Sequence, residues 1–303
     1  MSKKSAVFIL GMAFCAPSFA QASEADFASE ASRISEAVEE SKAKHIDQSD
    51  LRDLLRDDNP QVRKAAVKNS RAYILNSSVN EDIMDILRDR YELADIRIEA
   101  ARVLSYATTY SRVSDRLMDI VKYNNEPKEL RIMAYKALWT GANNSRVEDL
   151  LEDAVKYNEK DRETRRAAIW AMFATSQNYK VKDLLVEIAR NKTGEEEATR
   201  IEAIKSLYNG LGHFDAKDKI TEIAKDQTER KPVRLIAIKA LSSVNNDSRV
   251  KRFLEETMEY EKDLDLRVAA MWALSPERSE INELFHLGYK IENGPFVNPI
   301  EKE

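Results

Sequence analysis

Seven arginines recur along this chain at one spacing, and that recurrence narrows the possible folds more than any other feature. Arg63, Arg97, Arg131, Arg165, Arg200, Arg234 and Arg267 follow one another at intervals of about 34, 34, 34, 35, 34 and 33 residues, the period of a repeat array. Each sits in a short phrase such as Leu130-Arg131-Ile132-Met133-Ala134, with an apolar residue or threonine before the arginine and an alanine three positions after it. By length alone, 303 residues would suggest about two domains. Self-similarity replaces that estimate with one cooperative array.

The apolar positions within each period predict two helices. In the first, residues such as Val147, Leu150, Leu151, Ala154 and Val155, or Val181, Leu184, Leu185 and Ile188, are spaced three and four apart, one stripe on a helical surface. The same column returns at Ile83, Leu117, Leu151, Leu185, Ile220 and Leu254. The second helix starts around the arginine. Three positions on, alanine occupies every copy (Ala66, Ala100, Ala134, Ala168, Ala203, Ala237, Ala270), and seven positions on come Ser70, Leu104, Leu138, Met172, Leu207, Leu241 and Leu274. An alanine in every copy implies close approach of two helix backbones, and the leucine a turn later fills the layer between repeats. With 33% of residues charged, 43% hydrophobic and only seven Gly and seven Pro, the composition suits exposed amphipathic helices rather than a turn-rich β fold. The predicted class is all-α.

The connections agree with that division. Gly141-Ala142-Asn143-Asn144-Ser145 and Val244-Asn245-Asn246-Asp247-Ser248 join repeats through residues that favour tight turns. Glu129, Glu163 and Asp265 stand where the second helix presents its positive N-terminal end, and Pro60, Pro127 and Pro232 where a missing N–H costs nothing. Four segments result: residues 1–22 as a signal peptide, 23–48 as an N-terminal cap helix, 49–275 as the array, and 276–303 as a C-terminal cap helix and tail.

The first segment has Lys3 and Lys4, an apolar run from Ala6 to Ala16, and Ala20-Gln21-Ala22, the order of an export signal with a small-residue cleavage site. The run is too short to span a bilayer, and no later stretch is long enough. The expected destination is therefore outside the cytoplasm, most simply the periplasm. Cleavage would remove Cys15, the single cysteine, and leave a mature chain without disulfides or thiol chemistry. It would also move the formal charge from -5 to about -7, which argues against nucleic-acid binding through phosphate contacts.

The phrases Val62-Arg63-x-x-Ala66, Ile96-Arg97-x-x-Ala100, Leu130-Arg131-x-x-Ala134 and Val233-Arg234-x-x-Ala237, with Asp58-Asn59-Pro60 before the first, resemble HEAT repeats, especially the short, phycobilisome-lyase-like kind. The resemblance covers residues 49–275. A period near 34 also matches tetratricopeptide repeats, but no segment has the Trp-x-x-Leu-Gly-x-x-Tyr first helix of that family. Thr164 and Thr199 depart from the pattern by replacing the apolar residue before the arginine. The resemblance implies a right-handed α-solenoid of about seven antiparallel helix pairs with terminal capping helices. It also implies second helices lining a concave side and use as a protein-binding scaffold.

Catalytic motifs are not found. His45, His213 and His286 lack metal-ligand spacing, and Gly210-Leu211-Gly212 lacks the strand and third glycine of a phosphate-binding loop. The reading is non-enzymatic, with no cofactor and no metal. The arginine column reads as a structural ladder pairing with turn carboxylates such as Asp58, Glu129 or Asp265, each exposed pair contributing about 0 to 1 kcal/mol.

The candidate binding residues lie five positions after the arginine: Lys68, Arg102, Lys136, Trp170, Lys205, Lys239 and Trp272. Positions two and five are expected to share the groove side, where cations and tryptophans could hold a partner protein or acidic peptide, or alternatively an anionic glycan or lipid headgroup. A plainer reading stays open. Glu99 with Arg102 and Glu202 with Lys205 could be i, i+3 pairs on a wet helix face. Trp139 is expected to pack between repeats.

Overall fold

The computed structural model describes residues 47–122 and 125–285, with the backbone of residues 289–290 and 296–297. The expected signal peptide, nearly all of the N-terminal cap helix, His45 and His286 lie outside the described residues. The array belongs to a unit running from Leu51 to Glu303.

Fifteen α-helices occur among the described residues, the first fourteen as seven pairs. The first helices are α1 (Gln48–Leu54), α3 (Ser77–Arg88), α5 (Ser111–Lys122), α7 (Ser145–Asp153), α9 (Tyr179–Arg190), α11 (Phe214–Lys225) and α13 (Ser248–Tyr260). The second helices are α2 (Pro60–Asn69), α4 (Ala94–Leu104), α6 (Lys128–Ala137), α8 (Arg162–Ala171), α10 (Glu197–Ser206), α12 (Lys231–Ala240) and α14 (Leu264–Leu274). The fold is an all-α solenoid, as the period predicts. Second helices stack on second helices from α2 through α14, and from α4 onward each also packs against its own first helix.

Local chemistry sets the boundaries. Asn76, Asn144, Asn178 and Asp247, each thirteen residues after an arginine of the ladder, hold extended backbone angles and accept N–H bonds from the first turn of α3, α7, α9 and α13. Such a cap contributes about 0.5–2 kcal/mol by satisfying otherwise orphaned donors. The threonine departure also has a local cause. Asp161 caps α8 by accepting from both the backbone N–H and the hydroxyl of Thr164, at 2.9 Å each, so the hydroxyl is satisfied although Thr164 is buried.

The core lies between the two layers. Ala66, Ala100, Ala134, Ala168, Ala203, Ala237 and Ala270 are all 0–2% exposed, and the first-helix column from Ile83 to Leu254 is equally buried. Beyond α14, the expected C-terminal helix is present as α15 (Arg278–Leu284). It ends before the sequence-based boundary near Lys290, where the backbone instead forms a two-residue antiparallel ladder, Tyr289–Lys290 against Phe296–Val297. Helical periodicity could not announce that ladder.

Candidate functional site

The seven arginines do form a ladder, but with different partners from those expected. Arg200 of α10 shows the full arrangement. Its Nε donates to the Ala189 carbonyl at the end of α9 (2.9 Å), and its two terminal nitrogens fork onto Glu229 before α12 (3.0 and 2.5 Å). The backbone bond ties the two helices of one repeat, and the fork ties that repeat to the next. Arg165 repeats it with Val155 and Glu195, and Arg234 bonds Ala224 in the same way but reaches Glu261 through one terminal nitrogen, the other meeting Gln227. Three others vary the pattern: Arg97 bonds the Leu87 carbonyl through Nε and Glu126 through one terminal nitrogen, Arg63 forks onto Glu92 through Nε and a terminal nitrogen, and Arg131 reaches Glu159 through one terminal nitrogen. Asp58, Glu129 and Asp265 are therefore not the ladder's carboxylates. Arg267, at the last position, bonds the Met258 carbonyl and has no carboxylate partner among the described residues. The missed signal was in the sequence: a glutamate stands five or six residues before every arginine from Arg97 onward.

Burial gives these forks their electrostatic character. Arg200 and Glu229 are 4% and 2% exposed at the side chain. Arg200 holds the Glu229 carboxyl below the usual range against the opposing effect of burial, and Arg63 does the same for Glu92. The ladder is thus internal framework, leaving binding to other positions.

Positions one, five and eight after the arginine share one side of a helix, being four and three residues apart. Position one carries half-exposed Ile98, Ile132, Ile201 and Leu235, position five the candidate column, and position eight Trp139, Phe173, Tyr208 and Ser242. Position two belongs with them only in part. Met133, Ala167, Ile236 and Ala269 there are buried, against exposed Ala65 and half-exposed Glu99 and Glu202, so positions two and five share the surface only in some copies, and position one supplies the apolar residues beside the basic column. The apolar residues were legible directly after the arginine in five of the seven copies, with Lys64 and Arg166 in the other two.

The candidate residues divide into three kinds. Lys68 is exposed, while Arg102, Lys136, Lys205, Lys239 and Trp272 are half-buried. Arg102 pairs with Glu99 at 3.5 Å, so at that position the i, i+3 contact does form. Trp170 is only 2% exposed, meets Phe173 edge-on at 5.1 Å and lies 5.5 Å beneath the Lys136 ammonium. Its expected role as an open aromatic contact is corrected: it is the floor of the face. Lys239 stands 5.1 Å over the Trp272 ring, a second cation above an indole. Trp139 stacks on Phe173 across the repeat boundary at 5.3 Å, packed between repeats as expected.

The chain's own C-terminal segment reaches this face. Phe285, 0% exposed, stacks on Tyr208 with ring centroids 4.1 Å apart and planes 25° from parallel. The Tyr208 hydroxyl lies 3.2 Å from Ser242 Oγ in the next repeat. At the other end of α15, Trp272 Nε1 donates to the Glu280 carboxylate. Burying a phenylalanine contributes about 1.5–3 kcal/mol, with about 0.5–1.5 more for a well-set aromatic pair.

Nothing among the described residues assembles a metal-binding cluster of His, Cys, Asp and Glu, and no described helix is long and apolar enough to cross a membrane. His213 is exposed, with Nε2 3.2 Å from the Gln177 carbonyl. Of the two glycines near it, Gly210 is a packing feature, lying against the Ser176 carbonyl.

Residues 183–275 match a family model of HEAT repeats. That stretch runs from α9 to the end of α14, and the match supports the HEAT reading of its helix pairs. Among solved structures, the chain is similar to one in a complex of Kap95p with RanGDP, with a TM-score of 0.51 at 11% identity over 75% of this chain and 33% of that one. YibA of E. coli aligns over 84% of this chain and 87% of its own at 18% identity, TM-score 0.49. Human deoxyhypusine hydroxylase aligns over 75% and 82% at 16% identity, TM-score 0.36. At these identities the Kap95p likeness speaks for the fold alone. No curated protein matches the chain.

Proposed function

We propose that this chain is an exported, non-enzymatic scaffold that binds another protein through the free face of its second helices. One observation carries the reading. Half-exposed Ile98, Ile132, Ile201 and Leu235 at position one stand beside half-buried Arg102, Lys136, Lys205 and Lys239 at position five in the second, third, fifth and sixth repeats, giving two apolar stretches flanked by cations, with Arg166 and the buried Trp170 at these positions in the fourth. Apolar area supplies affinity, while a row of one charge selects an acidic partner and sets its register. Kap95p, whose fold is similar, is itself described binding RanGDP, which fits a solenoid used for protein recognition. Export rests on the N-terminal pattern of Lys3, Lys4 and the apolar run that follows.

The test is crosslinking and capture from an envelope extract of the source organism, with the intact chain and a variant carrying Lys136→Glu, Lys205→Glu and Lys239→Glu. Trp170 is left in place because removing a buried floor would disturb the fold. The variant should keep its helicity and melting temperature and lose the captured protein. Undiminished capture by the variant would remove the binding role from this face. Capture abolished by glycan-degrading treatment of the extract would instead favour an anionic glycan on the same cations. Signal-peptide cleavage is read separately, by the N-terminal residue of the protein recovered from the envelope fraction.

A further inference from the structure

The C-terminal helix does not lie where a simple end cap would be most useful. At the open end of the array α14 leaves Leu264 and Met271 exposed, at 68% and 56%, beside the position-one Val268 at 49%, an apolar stripe with nothing over it among the described residues. Instead α15 turns back, so that Phe285 reaches Tyr208 two repeats earlier while Glu280 meets Trp272. Both contacts fall on positions five and eight of the second helices, the face assigned above to partner binding. The segment that makes them carries Glu277, Glu280 and Glu283 and ends in Leu284-Phe285. It is acidic, helical and aromatic, and it lies at the end of the face where Lys239 stands over Trp272.

The geometry points to α15 and Phe285 as an internal occupant of the binding face, held where a short acidic helical segment of a partner protein docks and displaced when that segment binds. This rests on the protein-binding reading of the second-helix face and adds to it the chemistry of the partner. The partner segment presents a carboxylate to the Trp272 Nε1 and an aromatic ring to Tyr208, five residues apart in sequence as Glu280 and Phe285 are. The slot for the ring is preformed, because Tyr208 is fixed by its contact with Ser242. An occupied site also lowers the apparent affinity for the partner by the fraction of time it stands open.

A fluorescein-labelled peptide of residues 276–287 serves as the probe, titrated by anisotropy into the full chain and into its Phe285→Ala variant. The variant should bind the peptide about ten-fold more tightly, since its own ring no longer competes. Adding Tyr208→Ala to that variant, or replacing the peptide's phenylalanine by alanine, should abolish binding. Equal affinity for the two chains overturns the proposal. So does failure of the Phe285→Ala chain to bind when its melting temperature and near-ultraviolet spectrum show an intact array. The lysine-reversal variant keeps the two readings apart. If reversal abolishes partner capture while the peptide does not bind the Phe285→Ala chain, the internal occupant is rejected and the binding face stands. If reversal has no effect on capture and the peptide does not bind, both fall.

Discussion

Arg200 and Glu229 close a two-bonded fork across the boundary between the fifth and sixth repeats, both side chains almost wholly withdrawn from solvent. Removing one partner leaves the other buried and unpaired, which typically costs about 3–5 kcal/mol, whereas replacing both with apolar residues of similar volume costs far less. Glu229→Leu should therefore lower the melting temperature sharply, and Arg200→Met with Glu229→Leu should recover much of the loss. The exposed pair Lys64–Asp95, 44% and 53% exposed, supplies the contrast. Asp95→Asn should change stability by no more than about 1 kcal/mol. A double-mutant cycle at Arg200 and Glu229 with a coupling near zero would show that the ladder is ornamental.

The same forks make the array sensitive to acid. Arg63 and Arg200 hold Glu92 and Glu229 below the usual carboxylate range, and bonds led by the Thr164 N–H lower Asp161 to about 2. A depressed folded-state value means the unfolded chain takes up protons first. The stabilisation is then complete above the unfolded value near 4 and disappears as pH falls through that value towards the folded one. Melting temperatures measured from pH 6 to pH 2.5 should decline most steeply below about pH 4.5. Glu229→Gln should lower the curve near neutrality and meet the parent curve in acid. A constant offset at every pH would mean that Glu229 titrates alike in the folded and unfolded chain.

The period revealed the helix pairs, the alanine row and the leucine row because each recurs at a fixed offset from the arginine. The ladder's glutamates follow a looser rule, five residues before the arginine in some copies and six in others, and they pair across a repeat boundary rather than within the adjacent turn. Sequence proximity favoured Glu129 and Asp265, whereas the fold brings Glu159 and Glu229 to the guanidinium groups. Trp170 was misplaced for a related reason. The i, i+3 and i, i+4 geometry gives the side of a helix, but whether that side is covered depends on Lys136 of the preceding repeat and on how Phe173, in the turn after α8, folds back. The contact between Phe285 and Tyr208 is non-periodic, so no repeat argument reaches it.

The alanine row gives a prediction about overpacking. Ala168 is fully buried where α8 packs against its neighbours, and a leucine there adds three carbons to a space that holds none of them. Ala168→Leu should destabilise by about 1–3 kcal/mol, read by urea unfolding. The position one residue, Ile132, lies half-exposed on the free face, and Ile132→Leu should be nearly silent in the same assay. Equal tolerance at the two sites would mean that the second helices stand further apart than their backbones indicate.

Two glycines four and two positions before α11 separate close packing from chain flexibility. A Cβ built on Gly210 would lie 2.4 Å from the Ser176 carbonyl oxygen of the preceding repeat, a backbone atom that moves only with its repeat, whereas one on Gly212 meets nothing within 4 Å. Gly210→Ala must push two repeats apart, at a cost of about 1–3 kcal/mol. Gly212→Ala meets no obstacle in the folded chain and restricts the unfolded one, so it should stabilise by about 0.4–1 kcal/mol. Gly141, with its nearest contact at 3.1 Å from the Thr108 carbonyl oxygen, should fall between them. Thermal unfolding of the three alanine variants gives the order directly, and a Gly210→Ala protein as stable as its parent would contradict the tight seam between the fourth and fifth repeats.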